Sequence, residues 1–200
     1  MQGALPSVDS YLARLPLGVD SHPECQVKAS LVHNAMGSLR IGPEFKLPQA
    51  VRKLLDTPPP VSVWVPEVHF NIAMLAILDA HFGPRNLSGY QEWIYEQNRK
   101  LFRTPLYRAV FLVMSPERLL HGLEKRWESF RRGSMLRQVR LAEREVELRL
   151  TSPEHLYVPL LVQGMREAVR AGIDSAGALR SQVTGEIVSP TEIVYRLTWE

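Results

Sequence analysis

The sequence predicts an α+β fold, an N-terminal helical block followed by a β-β-α-β-β unit forming an antiparallel sheet. Three observations carry this expectation. Leu119, Leu120, Leu123, Trp127 and Phe130 recur at three- and four-residue spacing, the period of an amphipathic helix. Beyond Gly133 the period changes to alternation, with Met135, Val139 and Leu141, then Val146, Leu148 and Leu150, set between charged residues. One further helical stretch separates this pair of strands from a second, Leu179 to Ile187 and Ile193 to Trp199. The short links within each pair make antiparallel pairing the expectation.

Two hundred residues, 45% of them hydrophobic, can bury one substantial core. Residues 1–26 hold Pro6, Pro16 and Pro23 with little periodicity and read as a partly irregular arm laid on the surface. Residues 27–200 read as a single α+β domain. In the helical block, helices are expected over Lys28 to Leu39 and Pro48 to Leu55. The next runs from Pro66 to Phe82, apolar on nearly every side and therefore buried. Ser88 reads as the cap of a helix ending near Thr104-Pro105, and Leu106 to Met114 follows as a short apolar helix. Ser115-Pro116-Glu117 and Ser152-Pro153-Glu154 repeat one start signal, a capping serine, a proline at the first helical position and an acid in the first turn. The second of these helices should end at Gly172.

The longest apolar candidate for a membrane span, Val61 to Phe82, is broken by Pro66, Glu67, His69, Asn71 and Asp79, and no membrane partner is expected. Met1 to Pro6 lack the basic and apolar pattern of a secretory leader. Cys25 is the sole cysteine, so no internal disulfide is possible, and the expectation is a cytoplasmic protein. The net charge of +3 hides an asymmetry. The segment from Arg99 to Arg149 carries thirteen Lys or Arg against six Glu, a net +7. Arg126, Arg131, Arg132, Arg137 and Arg140 are its candidate basic surface, either an ordinary solvated face or a site for nucleic acid or an acidic partner.

No motif identifies a reaction, and no catalytic residue or metal ligand is assigned. The histidines fall in no metal-binding spacing, and Glu117, His121 and Glu124, which share a helix face, are a pattern that charged helices produce routinely. Phosphate-loop, nucleophile-elbow and dinucleotide patterns do not occur. His69 and Asp79 stand out as polar groups on an all-apolar helix. They either complete internal hydrogen bonds or, with Trp93, Tyr107 and Trp127, line a ligand pocket.

The stretches Glu92-Trp93, Arg99-Lys100-Leu101-Phe102, Thr104-Pro105-Leu106-Tyr107-Arg108, Ser115-Pro116-Glu117-Arg118-Leu119-Leu120 and Arg126 to Ser134 resemble a paralogous family from myxobacteria and relatives, as does the closing Tyr195-Arg196-Leu197-Thr198-Trp199. More distantly, the helical block followed by β-β-α-β-β is similar to the superfamily joining haem nitric-oxide-binding sensors, four-vinyl-reductase-type ligand domains and trafficking-complex subunits. That resemblance implies a non-catalytic sensory, regulatory or scaffolding module that binds a small apolar ligand or a protein partner in a pocket between helices and sheet, with a homodimer expected. The Tyr-x-Ser-x-Arg signature that holds haem propionates in the sensors is absent from this chain, as are the metal-binding cysteines of some ligand domains, so the cofactor is left unassigned.

Overall fold

The computed structural model describes residues 3–36, 39–83, 86–111 and 113–200; the side chains of Leu106, Val110, Arg140 and Leu141 also lie outside the description. The helical block comprises α1 (Pro6–Leu12), α2 (Ala29–Met36), α3 (Gln49–Asp56), α4 (Glu67–Ile77), α5 (Leu87–Phe102), α6 (Pro105–Phe111), α7 (Pro116–His121) and α8 (Leu123–Phe130). Three very short strands, β1 (Gln26–Lys28), β2 (Trp64–Pro66) and β3 (Arg131–Arg132), run through it as an antiparallel sheet in the order β2-β1-β3. The C-terminal part is β4 (Met135–Ala142), β5 (Glu145–Thr151), α9 (Pro159–Ser175), β6 (Gln182–Ser189) and β7 (Glu192–Thr198). Its four strands form the expected antiparallel sheet, in the order β4-β5-β7-β6, with α9 packed between that sheet and α5.

The alternation read from the sequence settles which sheet face is inside. Val146, Leu148 and Leu150 on β5 and Ile193, Tyr195 and Leu197 on β7 are buried, whereas Arg149 and Arg196 face outward. One hydrophobic cluster runs from Leu5 to Trp199.

Several expectations are corrected. The N-terminal arm is structural: α1 sends Leu5, Val8 and Tyr11 into the core, with Leu15 beyond its end also buried. At seven residues this helix is too short to show a period in the sequence. Asp79 anchors it, accepting hydrogen bonds from the Ser7 amide (2.8 Å), the Ser7 hydroxyl (2.6 Å) and the Val8 amide (3.4 Å). The buried helix to Phe82 is present, but it widens into a π-helical turn over Leu78–Phe82, the turn that carries Asp79. The amphipathic helix after Ser115 is split at Gly122, a poor helix former, and the Arg126 guanidinium bridges the break by donating to the Leu119 carbonyl (2.7 Å). Ser115 caps α7 as expected, whereas α5 is capped by Asn86 rather than Ser88.

Ser152-Pro153 does not open α9. The chain first turns through His155, which takes a left-handed conformation (φ +64°), buries Leu156, Tyr157 and Val158, and enters the helix at Pro159. Gly172 is a buried interior position, and the chain leaves the helix past Ser175 through Gly177 (φ +94°). Gly133, between β3 and β4, is required twice over. Its φ is +75°, and a side chain there would lie 2.7 Å from the Cys25 sulfur and 2.8 Å from the Cys25 Cα. Cys25 is itself fully buried, donates to the Gly133 carbonyl (3.4 Å) and has its thiol pushed up to about 12 by burial, the setting of an inert structural cysteine.

Candidate functional site

A cleft of about 120 Å³ opens where α2, α4, α5 and α9 converge beside β3. Each helix contributes one face. Leu31, Asn34 and Ala35 come from α2, Phe70, Asn71 and Met74 from α4, Tyr90, Trp93, Ile94, Gln97 and Asn98 from α5, and Leu161, Gly164, Met165 and Ala168 from α9. These are i, i+3, i+4 and i+7 sets, the residues that one helical face presents. Gly164 allows α5 to come close, since a Cβ there would meet Ile94 Cδ1 at 2.8 Å. Asn71, Tyr90, Ile94, Tyr157, Leu161 and Gly164 are buried and form the inner wall, while Trp93, Gln97, Met165 and Ala168 are half-buried.

A polar cluster closes one side of the cleft. Glu67, fully buried at the first position of α4, accepts hydrogen bonds at Oε1 from the Tyr157 hydroxyl (2.5 Å) and from Arg131 Nη1, an ion pair that ties β3 to α4. Among the described residues its Oε2 has no hydrogen-bond partner, and neither has the buried hydroxyl of Tyr195. The Arg131 guanidinium lies 4.9 Å from the Trp127 ring and 5.7 Å from the Phe70 ring, a cation stacked among aromatic side chains. Burial pushes the Tyr157 phenol up to about 12 and raises those of Tyr90 and Tyr195 as well. On the neighbouring wall the Asn71 amide nitrogen donates to the Leu156 carbonyl (2.9 Å) and the Tyr11 hydroxyl (3.2 Å). Tyr11 in turn donates to Leu156 (2.9 Å), so α1, α4 and the turn before α9 are joined at one point.

Of the five residues expected to form a pocket, the structure places Trp93 on the cleft wall. His69 is on a different face of α4, against the Val19 backbone and Asp20, and burial holds its imidazole below the ordinary 6.5. Asp79 anchors α1. Tyr107 packs edge-on against Phe102, 6.0 Å between ring centres, and Trp127 reaches the cleft only through Arg131, its indole donating to Ser134 (3.2 Å). Sequence reasoning missed Glu67, Asn71 and Tyr157. The signal for the first two was available, because an acid and an amide on a helix apolar all round need partners as much as His69 does.

The five arginines of the expected basic surface do not act alike. Arg131 points inward with its side chain 11% exposed, and Arg126 spends its guanidinium on the α7–α8 break. Arg132 stacks at 3.9 Å on Trp64, which also receives Lys28 at 4.3 Å. Arg137 is exposed on β4, and the side chain of Arg140 lies outside the described residues. Glu117 accepts from the Trp199 indole (3.3 Å) and Glu124 from the Gln138 amide (2.9 Å); among the described residues no group of three His, Cys, Asp or Glu side chains is placed to hold a metal. Nor is any helix of the described residues long and apolar enough to cross a membrane.

Haem sensors belong to the superfamily that the sequence resembles, and the cleft does not fit that group. Among the described residues no histidine or cysteine lines the cleft. The raised phenols of Tyr90 and Tyr157 oppose the tyrosinate form that ligates iron. The charge of Arg131 is already matched by Glu67. About 120 Å³ is also close to the ~150 Å³ of an apolar cavity that takes up benzene, far below what a tetrapyrrole needs.

No family model matches the sequence, and no curated protein matches it. Solved structures do share its architecture. One is a haem protein described for the modulation of haem redox potential by porphyrin distortion, with a TM-score of 0.51 at 11% identity over 86% of this chain and 99% of that one. Another is a Cs H-NOX mutant carrying 4-cyano-L-phenylalanine at site 5, with a TM-score of 0.51 at 12% identity over 86% and 96% of the two chains. At this level of identity what is shared is the fold: an H-NOX-like arrangement of helical block and β-β-α-β-β sheet.

Proposed function

We propose that this protein is a non-catalytic sensory or regulatory module that binds a small, mostly apolar ligand, without haem, in the cleft between α2, α4, α5 and α9. The observation that carries the reading is the composition of the cleft. Mostly apolar side chains of four helices surround a space of benzene size, with a small number of polar groups set among them, which is the make-up of a small-molecule site. Because helices of the N-terminal block and α9 of the sheet unit share its walls, a ligand that favours one spacing of these elements would shift their equilibrium, as sensing requires. For a ligand of seven heavy atoms, roughly 0.7 kcal/mol per atom gives about 5 kcal/mol and a Kd on the order of 0.1–1 mM.

The test is an NMR titration with toluene that follows the Trp93 indole resonance, in the wild-type protein and in Ala168→Phe, which fills the cleft from α9. A saturable shift in the wild type that disappears in the variant supports the reading. No shift in the wild type, or an equal shift in both proteins, refutes it.

A further inference from the structure

We infer that the cleft's ligand is a neutral molecule bearing one carbonyl-type acceptor on an apolar body, held by the Arg131 guanidinium; this rests on the cleft being the binding site. The polar groups on the wall are not equivalent. The Tyr157 hydroxyl donates to Glu67, and the Asn71 amide nitrogen uses its two hydrogens on Leu156 and Tyr11, which leaves Asn71 only an acceptor to offer. Tyr90 donates to the Met74 carbonyl (3.4 Å) and Asn98 to the Ile94 carbonyl (2.8 Å), and Asn34 and Gln97 are neutral amides that offer a donor and an acceptor alike. Arg131 is the charged, donor-only group of the described wall. Its hydrogen bonds, to Glu67 Oε1 and to the Tyr157 hydroxyl oxygen (3.4 Å), are both made by Nη1. Among the described residues Nε and Nη2 donate to nothing, although Arg131 lines the cleft. A guanidinium holds its five N–H groups in a rigid plane, and here that plane is packed near the Trp127 and Phe70 rings with its backbone fixed in β3. The guanidinium plane is thus held in place before a ligand arrives.

Charge then decides what they take. Glu67 matches Arg131 one for one, so a carboxylate would bring an unmatched negative charge into a mostly apolar space beside the bare Glu67 Oε2. A pure hydrocarbon would displace water from the donors and return nothing. A ketone, ester or amide carbonyl accepts from the guanidinium and adds no charge. The expected order is carbonyl compound first, with hydrocarbon and carboxylate behind it.

Cyclohexanone, methylcyclohexane and cyclohexanecarboxylate separate these cases on the wild-type protein, again read by titration of the Trp93 resonance. Cyclohexanone is expected to bind about ten-fold tighter than methylcyclohexane, the loss associated with leaving charged donors unpaired, and tighter than the carboxylate. Arg131→Lys keeps the charge opposite Glu67 but replaces the planar fork by a point charge. It should erase most of the ketone preference, read within the variant as the ratio of cyclohexanone to methylcyclohexane affinity. Equal affinity for ketone and hydrocarbon, or tightest binding of the carboxylate, overturns this inference and leaves the cleft as a binding site. No response to any of the three overturns both.

Discussion

Arg131 and Glu67 form an ion pair across the junction of β3 and α4, with Glu67 fully buried and Tyr157 donating to the same carboxylate oxygen. A buried pair of this kind is costly to break from one side, because the remaining charge has nowhere to go. Arg131→Met is therefore expected to lower unfolding stability by about 3–5 kcal/mol, and Glu67→Met/Arg131→Met to recover most of that loss. Urea unfolding of the wild type, both single variants and the double variant measures the coupling; additive losses would show that the pair contributes little.

Asp79 makes three hydrogen bonds to the start of α1. Asp79→Ala should cost about 1–2 kcal/mol, as the loss of a helix N-terminal acceptor does. Amide hydrogen exchange should rise selectively over residues 5–15, while the β5 and β7 amides stay protected. Uniform acceleration across the chain would argue against a local anchor.

His69 gives a pH dependence of known sign. Burial lowers its folded pKa below the ordinary 6.5, against the opposing influence of Asp20 and the Val19 backbone. In the window between the lowered value and 6.5 the unfolded chain binds the proton and the folded chain does not, so stability falls as pH drops through it. His69→Gln removes that term. The drop in Tm between pH 7.5 and 5.5 should be smaller in the variant, and an unchanged drop would contradict the burial account.

The fold class and the large sheet were legible because period alone distinguishes helix from strand, and the inward set of β5 and β7 follows from the alternation. The small sheet was not, since strands of two or three residues such as Arg131–Arg132 carry no period. Arg131 reads as a surface residue because a charged residue defaults to solvent unless its buried partner is known, and Glu67 lies 64 positions away. The cleft was not legible, because it needs four helices brought together by tertiary packing, and helical spacing alone reads Trp93 as a core aromatic.

Haemin added to the purified protein should give no sharp Soret band of a ligated iron, and Tm should not rise with haemin concentration, because the described residues of the cleft offer neither imidazole nor thiolate. Stoichiometric uptake with a six-coordinate spectrum would overturn the misfit.

The most direct measurement of the central claim is a crystal structure of the protein under xenon pressure. A small apolar pocket between α4, α5 and α9 predicts a xenon peak in contact with Trp93, Ile94, Leu161 and Met165. Crystals that take up xenon elsewhere, or none at all with those side chains closed on one another, would contradict it.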